Sequence, residues 1–111
     1  DGEDGDGDSP LFAADGLVVD FAQRTVRVDG REIRLSRKEF ELIRLLILSR
    51  GKVLTHQQIL RQVWSDAQRD ETHYLRVLVG QLRHKLGDEP THPRFIVTVQ
   101  GVGYRLAVSP P

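Results

Sequence analysis

The apolar positions of this chain change their period several times, and the changes divide it into elements. Leu17-Val-Val-Asp-Phe21, Thr25-Val-Arg-Val28 and Glu32-Ile-Arg-Leu35 alternate in the two-residue rhythm of half-buried strands. Asp29-Gly30, between the last two, is a strong hairpin signal, because a tight two-residue turn needs positive φ and these residues tolerate it. Asp15-Gly16 supplies turn residues before the first strand. This end of the chain therefore reads as an antiparallel β-meander with one buried face.

The period then lengthens to that of helices. Ser36, with Glu39 three residues on, forms a capping box at the head of a helix over 37–50. Phe40, Leu42, Ile43, Leu45, Leu46, Ile47 and Leu48 make its second half apolar nearly all round, which predicts cover on more than one side. Gly51 is placed as its C-terminal cap. Thr55 and Gln58 repeat the capping box, opening a helix over 56–64 with Ile59, Leu60 and Val63 inward. A polar loop over 65–70 leads to a third helix, 72–86, whose apolar side is Leu75, Leu78, Val79, Leu82 and Leu86. Gly87 ends it, and Pro90 and Pro93 stop the connector from continuing it. The segment 95–108 is a two-stranded hairpin that turns at Gly101-Val102-Gly103. Strands and helices are segregated along the chain, which argues for an α+β fold rather than a parallel α/β sheet.

The third helix has a second pattern on its opposite side. His73, Val77, Gly80, Gln81 and His84 share that face, and Arg76, Arg83 and Lys85 flank it. A bare valine on a polar face stabilises nothing by itself, but it can meet a thymine methyl, and Gln81 can bond the N6 and N7 edge of adenine. Gly80 weakens a helix by about 1 kcal/mol relative to alanine, a loss that a close approach of the backbone to another body would justify. Grouped bases around one helix suit phosphate clamps that fix register without reading sequence. These features fit a helix that enters a DNA major groove; a solvated face with an indifferent glycine is the plainer alternative. Trp64 is either a core or rim aromatic or an indole donor to a phosphate at the groove edge.

Charge sharpens the picture. The net charge is zero, but residues 1–10 hold Asp1, Glu3, Asp4, Asp6 and Asp8 with no base, so the remainder carries +5. The acidic, Gly-rich stretch over 1–10 reads as a flexible linker, or as a mimic of DNA phosphate that dampens binding, ahead of one domain over 11–108. The chain opens on Asp1 rather than Met, which points to a piece of a longer protein. With 39% hydrophobic and 29% charged residues in 111, it is an ordinary single globular domain. It has no cysteine, which excludes disulfides, thiolate metal sites and thiol nucleophiles. Neither a signal peptide nor an apolar run of membrane-spanning length is present, so a cytoplasmic protein is expected.

Other chemistry finds little support. Gly101-Val102-Gly103-Tyr104 lacks the third glycine of a dinucleotide loop and precedes a strand rather than a helix. Those glycines better suit a tight hairpin tip that approaches another backbone. His56, His73, His84 and His92 show no ligand spacing, and no elbow motif positions a serine, so neither a metal, a cofactor nor an enzyme is expected. Two rival classes remain open: a protein-interaction module that uses the third helix to hold a partner, and a histidine-dependent hydrolase.

Several stretches in series resemble one family. Leu35-Ser-Arg-Lys-Glu-Phe-Glu-Leu-Ile-Arg-Leu-Leu, Gly51-Lys-Val-Leu-Thr-His-Gln-Gln-Ile-Leu-Arg-Gln-Val-Trp64, Leu82-Arg-His-Lys-Leu-Gly87 and Val99-Gln-Gly-Val-Gly-Tyr-Arg-Leu106 resemble the OmpR/PhoB-type winged-helix domains of two-component response regulators. Thr72-His-Tyr-Leu-Arg-Val and Gly80-Gln-Leu-Arg look most like the KdpE-type regulators of potassium-transport operons. The resemblance implies a winged helix-turn-helix that regulates transcription by binding direct-repeat DNA as a dimer. It also implies a receiver domain upstream and a contact with RNA polymerase through the loop over 65–70. Base contacts are then expected from Val77, Gln81, His73 and His84, and phosphate contacts from Trp64, Tyr74, Arg76, Arg83 and Lys85. Wing contacts are expected from Thr98, Gln100, Val102 and Arg105. Many members carry consecutive arginines where Gly80-Gln81 stand and a wing arginine where Gln100 stands, which implies weaker binding and a shallower salt dependence here.

Overall fold

A computed structural model of the chain describes residues 11–64 and 72–107. The acidic stretch over 1–10 and the loop over 65–70 lie outside the described residues. Four strands come first: β1 (Leu11–Ala14), β2 (Leu17–Asp20), β3 (Thr25–Val28) and β4 (Arg31–Ile33). They form an antiparallel sheet in sequence order. Asp15-Gly16 and Asp29-Gly30 both turn with two consecutive positive φ angles (52° and 86°, 51° and 84°), the backbone of type I′ hairpins. The first of these turns reveals β1, a strand the apolar rhythm alone does not announce. Phe12, Leu17, Val19, Val26 and Val28 supply the buried face.

Three helices and a second sheet follow. Helix α1 (Arg37–Leu48) is capped by Ser36, whose hydroxyl accepts from the Glu39 N–H at 3.2 Å while the Glu39 carboxylate accepts from the Ser36 N–H at 2.7 Å. It ends on Ser49, two residues before the expected glycine, because Arg50 as well as Gly51 turns to positive φ. Leu48, its last residue, is exposed, so the cover expected on more than one side does not reach the end of this helix. The short β5 (Leu54–Thr55) leads into α2 (His56–Val63), capped by Thr55 and Gln58 in the same reciprocal way. Helix α3 (Thr72–Leu86) buries Leu75, Leu78, Val79, Leu82 and Leu86 against α1 and α2. One core runs from the first sheet through all three helices to Phe95, Ile96, Tyr104 and Leu106.

The closing hairpin pairs β6 (Ile96–Val99) with β7 (Gly103–Leu106), and β5 joins the far side of β7. Its tip is Gln100 to Val102, with the Val102 N–H returning to the Val99 carbonyl at 2.9 Å and Gly101 at φ 73°. Gly103 opposes Thr55 so closely that a Cβ there would collide with the Leu54 carbonyl oxygen. The two glycines of this turn thus serve a tight tip and a close approach to another backbone.

The connector between α3 and β6 is held by one carboxylate. Gly87 at φ 72° and the Asp88 N–H to the Arg83 carbonyl at 2.8 Å end α3 in a Schellman turn. The buried Asp88 then accepts from the Arg94, Phe95 and Ile96 N–H groups at 2.6, 3.2 and 2.8 Å. Asp88→Ala strands buried backbone donors and is expected to destabilise the domain by about 2–4 kcal/mol in urea unfolding; a loss below about 1 kcal/mol would show that water replaces the carboxylate.

Candidate nucleic-acid interface

Burying the leucine stripe of α3 leaves its other side to solvent. His73, Tyr74, Arg76, Val77, Gly80, Gln81 and His84 are all exposed, Tyr74 at 59% and Val77 at 46%. The His73 and Tyr74 rings lie 5.8 Å apart at one end of this surface. Nothing within the described protein comes within 4 Å of where a Gly80 side chain would begin. The glycine is therefore not required by packing inside the domain, and the helix backbone is bare at the middle of its outward face.

The flanking bases part company. Arg83 was expected beside the outward face as a phosphate clamp, but it is only 8% exposed. Its Nη2 donates to the Ile96 carbonyl at 2.8 Å and to the Thr98 hydroxyl at 2.9 Å, because position 83 lies on the flank of α3 that faces β6. Lys85, also expected on phosphate, donates to the Glu39 carboxylate at 2.7 Å from the opposite flank. Arg76 remains exposed. Trp64 is half-buried against the core, and the Lys38 ammonium lies 5.2 Å over its ring. Its indole is a rim aromatic first.

At the hairpin, Gln100 and Val102 stand exposed at the tip, Val102 at 43%. Thr98 points its hydroxyl back to Arg83, and Arg105 is half-buried with Nη1 on the Leu106 carbonyl at 3.3 Å. The Val102 carbonyl accepts from the His56 N–H at 3.2 Å, tying the tip to the start of α2. The outward face of α3 and the tip of the hairpin are thus the two projecting parts of one assembly.

Three residues shape it in ways that sequence reasoning did not foresee. Asp88 joins helix to hairpin as described. Arg94 forks onto Asp29 at 2.7 and 2.9 Å and reaches the Asp15 carbonyl at 2.9 Å, locking the two Asp-Gly turns to the root of β6. Its hydrogen bonds hold the Asp29 carboxyl below its ordinary range and the Arg94 guanidinium above its own. Glu39, 3% exposed, links the α1 cap to Lys85. The Asp-Gly turns were the available signal for Arg94, since two such acidic turns at one sheet end need a cation; Glu39 and Asp88 have no local signal beyond the capping box. Among the described residues no group of three or more His, Cys, Asp or Glu is placed to hold a metal ion, and no helix is long and apolar enough to cross a membrane.

A meander, three helices with the last exposed on one side, and a hairpin beside it define a winged helix-turn-helix. Residues 30–106 match the family described as "Transcriptional regulatory protein, C terminal", and the chain belongs to it. Over 98 residues it is 41% identical to the transcriptional regulatory protein KdpE of Mycobacterium tuberculosis, covering 88% of this chain and 43% of that protein. It is also 41% identical over 96 residues to the KDP operon transcriptional regulatory protein KdpE of Escherichia coli, covering 86% and 43%. The chain thus spans less than half the length of these relatives. Its fold matches the crystal structure of the Klebsiella pneumoniae RstA DNA-binding domain in complex with RstA box, with TM-score 0.80 and 26% identity over 87% of this chain and 96% of that one.

Burial works to raise the Glu39 carboxyl, but the Lys85 ammonium and the Ser36 N–H outweigh it and hold the pKa below the ordinary value of 4.5. A lowered carboxylate contributes stability that is complete above its unfolded value and is lost as pH falls through its folded one. Wild-type stability is therefore expected to drop below pH 4.5 from this source. Lys85→Gln should cost about 1–2 kcal/mol at pH 7, a modest figure because the ammonium partly faces water. That deficit should shrink on acidification, since a lone buried Glu39 prefers its proton; urea unfolding at several pH values checks it, and a deficit constant down to pH 3.5 would overturn it.

Proposed function

We propose that this chain is the sequence-specific DNA-binding effector domain of a two-component response regulator. The observation that carries it is the outward face of α3, where Val77, Gly80 and Gln81 stand exposed over a backbone that packing inside the domain leaves bare. An α-helix with such a face fits the major groove, where a valine can meet a thymine methyl and a glutamine an adenine edge. Family membership and the DNA complex of the RstA domain support the same reading. Val77 and Gln81 read bases, with His73 and His84 at the ends of the stripe. Tyr74, Arg76 and Trp64 meet phosphate, with Arg76 the exposed base of α3 that neither Ile96 nor Glu39 holds. The hairpin tip, Gln100 and Val102, touches the neighbouring minor groove, with Arg105 near the backbone.

The whole protein carries further proposals. A receiver domain precedes this one, two copies bind direct repeats, and the loop over 65–70 contacts RNA polymerase, although that loop lies outside the described residues. Likeness to KdpE proteins supports an operon of potassium transport as the target. A protein-interaction module is the alternative class. Selection from a random duplex pool, followed by a salt titration on the selected site, separates the two: a log–log slope near zero supports the interaction module.

Two substitutions test the face itself. Gln81→Ala is expected to relax preference at one base position by about 1–3 kcal/mol while leaving random duplex unaffected. Equal losses on selected and random DNA would remove Gln81 from base reading. Gly80→Ala should raise the stability of the free domain by about 1 kcal/mol, since the new methyl meets open space. It should nevertheless weaken binding to the selected duplex; tighter or equal binding would mean that the backbone never approaches DNA at this point.

A further inference from the structure

Arg83 lies where α3 meets β6, and its side chain spans from the helix to two alternate positions of the strand. Nη2 donates to the Ile96 carbonyl at 2.8 Å and to the Thr98 hydroxyl at 2.9 Å, while the buried Nε has no hydrogen-bond partner among the described residues. A buried cation with a donor left unpaired is a poor choice for stability, and an apolar side chain of similar size would serve a helix–strand contact better. What the guanidinium adds over an apolar contact is direction: it fixes both the height and the tilt of β6 against the helix.

The rest of the hairpin is held elsewhere. Asp88 pins its root, β5 pairs along β7, and the His56 N–H binds the Val102 carbonyl at the tip. Loss of Arg83 therefore leaves the hairpin attached to the core and to β5, and removes the side-chain tie from α3 to Thr98 in the middle of β6. The parts whose relation it sets are the outward face of α3 and the exposed tip at Gln100 and Val102.

We infer that Arg83 is a positioning residue for two-groove binding: through Thr98 and Ile96 it sets the offset between the α3 face and the hairpin tip, so that both meet one duplex in a single docking. This rests on the DNA-binding reading above.

The test uses the whole chain and the duplex selected by the wild type, with Arg83→Met and Thr98→Val. The second removes only the acceptor hydroxyl from a strand residue and keeps every charge. Binding against salt, hydroxyl-radical footprints and urea unfolding are measured together. Both variants are expected to bind the selected duplex at least about tenfold more weakly, Thr98→Val through the loss of one charge-assisted hydrogen bond and Arg83→Met through the loss of two. Protection under the hairpin should fade while protection by α3 persists, and the salt slope should fall by clearly less than the roughly 0.9 that one phosphate contact carries. A drop of about 0.9 for Arg83→Met, with wild-type binding by Thr98→Val, would instead make Arg83 a phosphate ligand. Unchanged footprints and affinity in both variants, whatever the unfolding shows, reduce it to a structural contact. If Arg83→Met does not fold, Thr98→Val decides alone. A wild-type domain that selects no duplex overturns the DNA reading and this inference with it.

Discussion

The joint between α3 and β6 is the constraint on which the rest of the molecule depends. A helix that buries one side and offers the other must hand the chain to a strand that packs beside it, within a few residues and without leaving backbone donors unpaired. Asp88 meets that demand by accepting from three successive N–H groups. A neutral side chain offers fewer acceptor sites, and a longer one would set β6 further from the helix end. Arg94, whose N–H is one of the three, then carries the constraint outward to the Asp-Gly turns of the first sheet. Helix, hairpin and meander are thereby assembled around one carboxylate and one guanidinium.

This assembly uses charge that a linear reading assigns to a ligand. Arg83 and Lys85 flank the outward face in a helical projection, but one is turned under β6 and the other is held by Glu39. Arg94 is likewise bound to Asp29. The face left for a partner is therefore less basic than the composition of α3 suggests. With Gln81 uncharged, the proposed recognition of DNA rests more on shape and hydrogen bonding than on Coulomb attraction.

Much of the fold was legible because its determinants are local. The capping boxes at Ser36 and Thr55 need partners only three residues away, and the ends of α3 follow from leucine spacing and Gly87. Asp29-Gly30 declared its hairpin, whereas β1 went unread although Asp15-Gly16 carries the same signal, because Leu11-Phe-Ala-Ala14 has no polar alternation. β5 is two residues long, shows no period, and exists only through its pairing with β7. The outward stripe of α3 was legible for the same reason as its buried stripe. The fates of Arg83 and Lys85 were not, since their partners lie 13 and 46 residues away and no local rule selects between a solvent-facing cation and a tethered one.

Gly80 and Gly103 show how one residue type answers two different demands. Gly103 is fixed from within, because a side chain there has no room against Leu54. Gly80 has open space where a side chain would begin and sits in mid-helix, where glycine is unfavourable. A glycine that weakens its own helix and relieves no crowding in its own domain serves no internal purpose. Packing within the described domain supplies no reason for it, and the DNA-binding reading proposed above supplies one: a surface close enough to the helix backbone for a methyl group to matter. Of the bodies that fit a narrow convex helix with exposed valine, glutamine and two histidines beside a projecting hairpin, a grooved duplex satisfies the shape and the hydrogen bonding together.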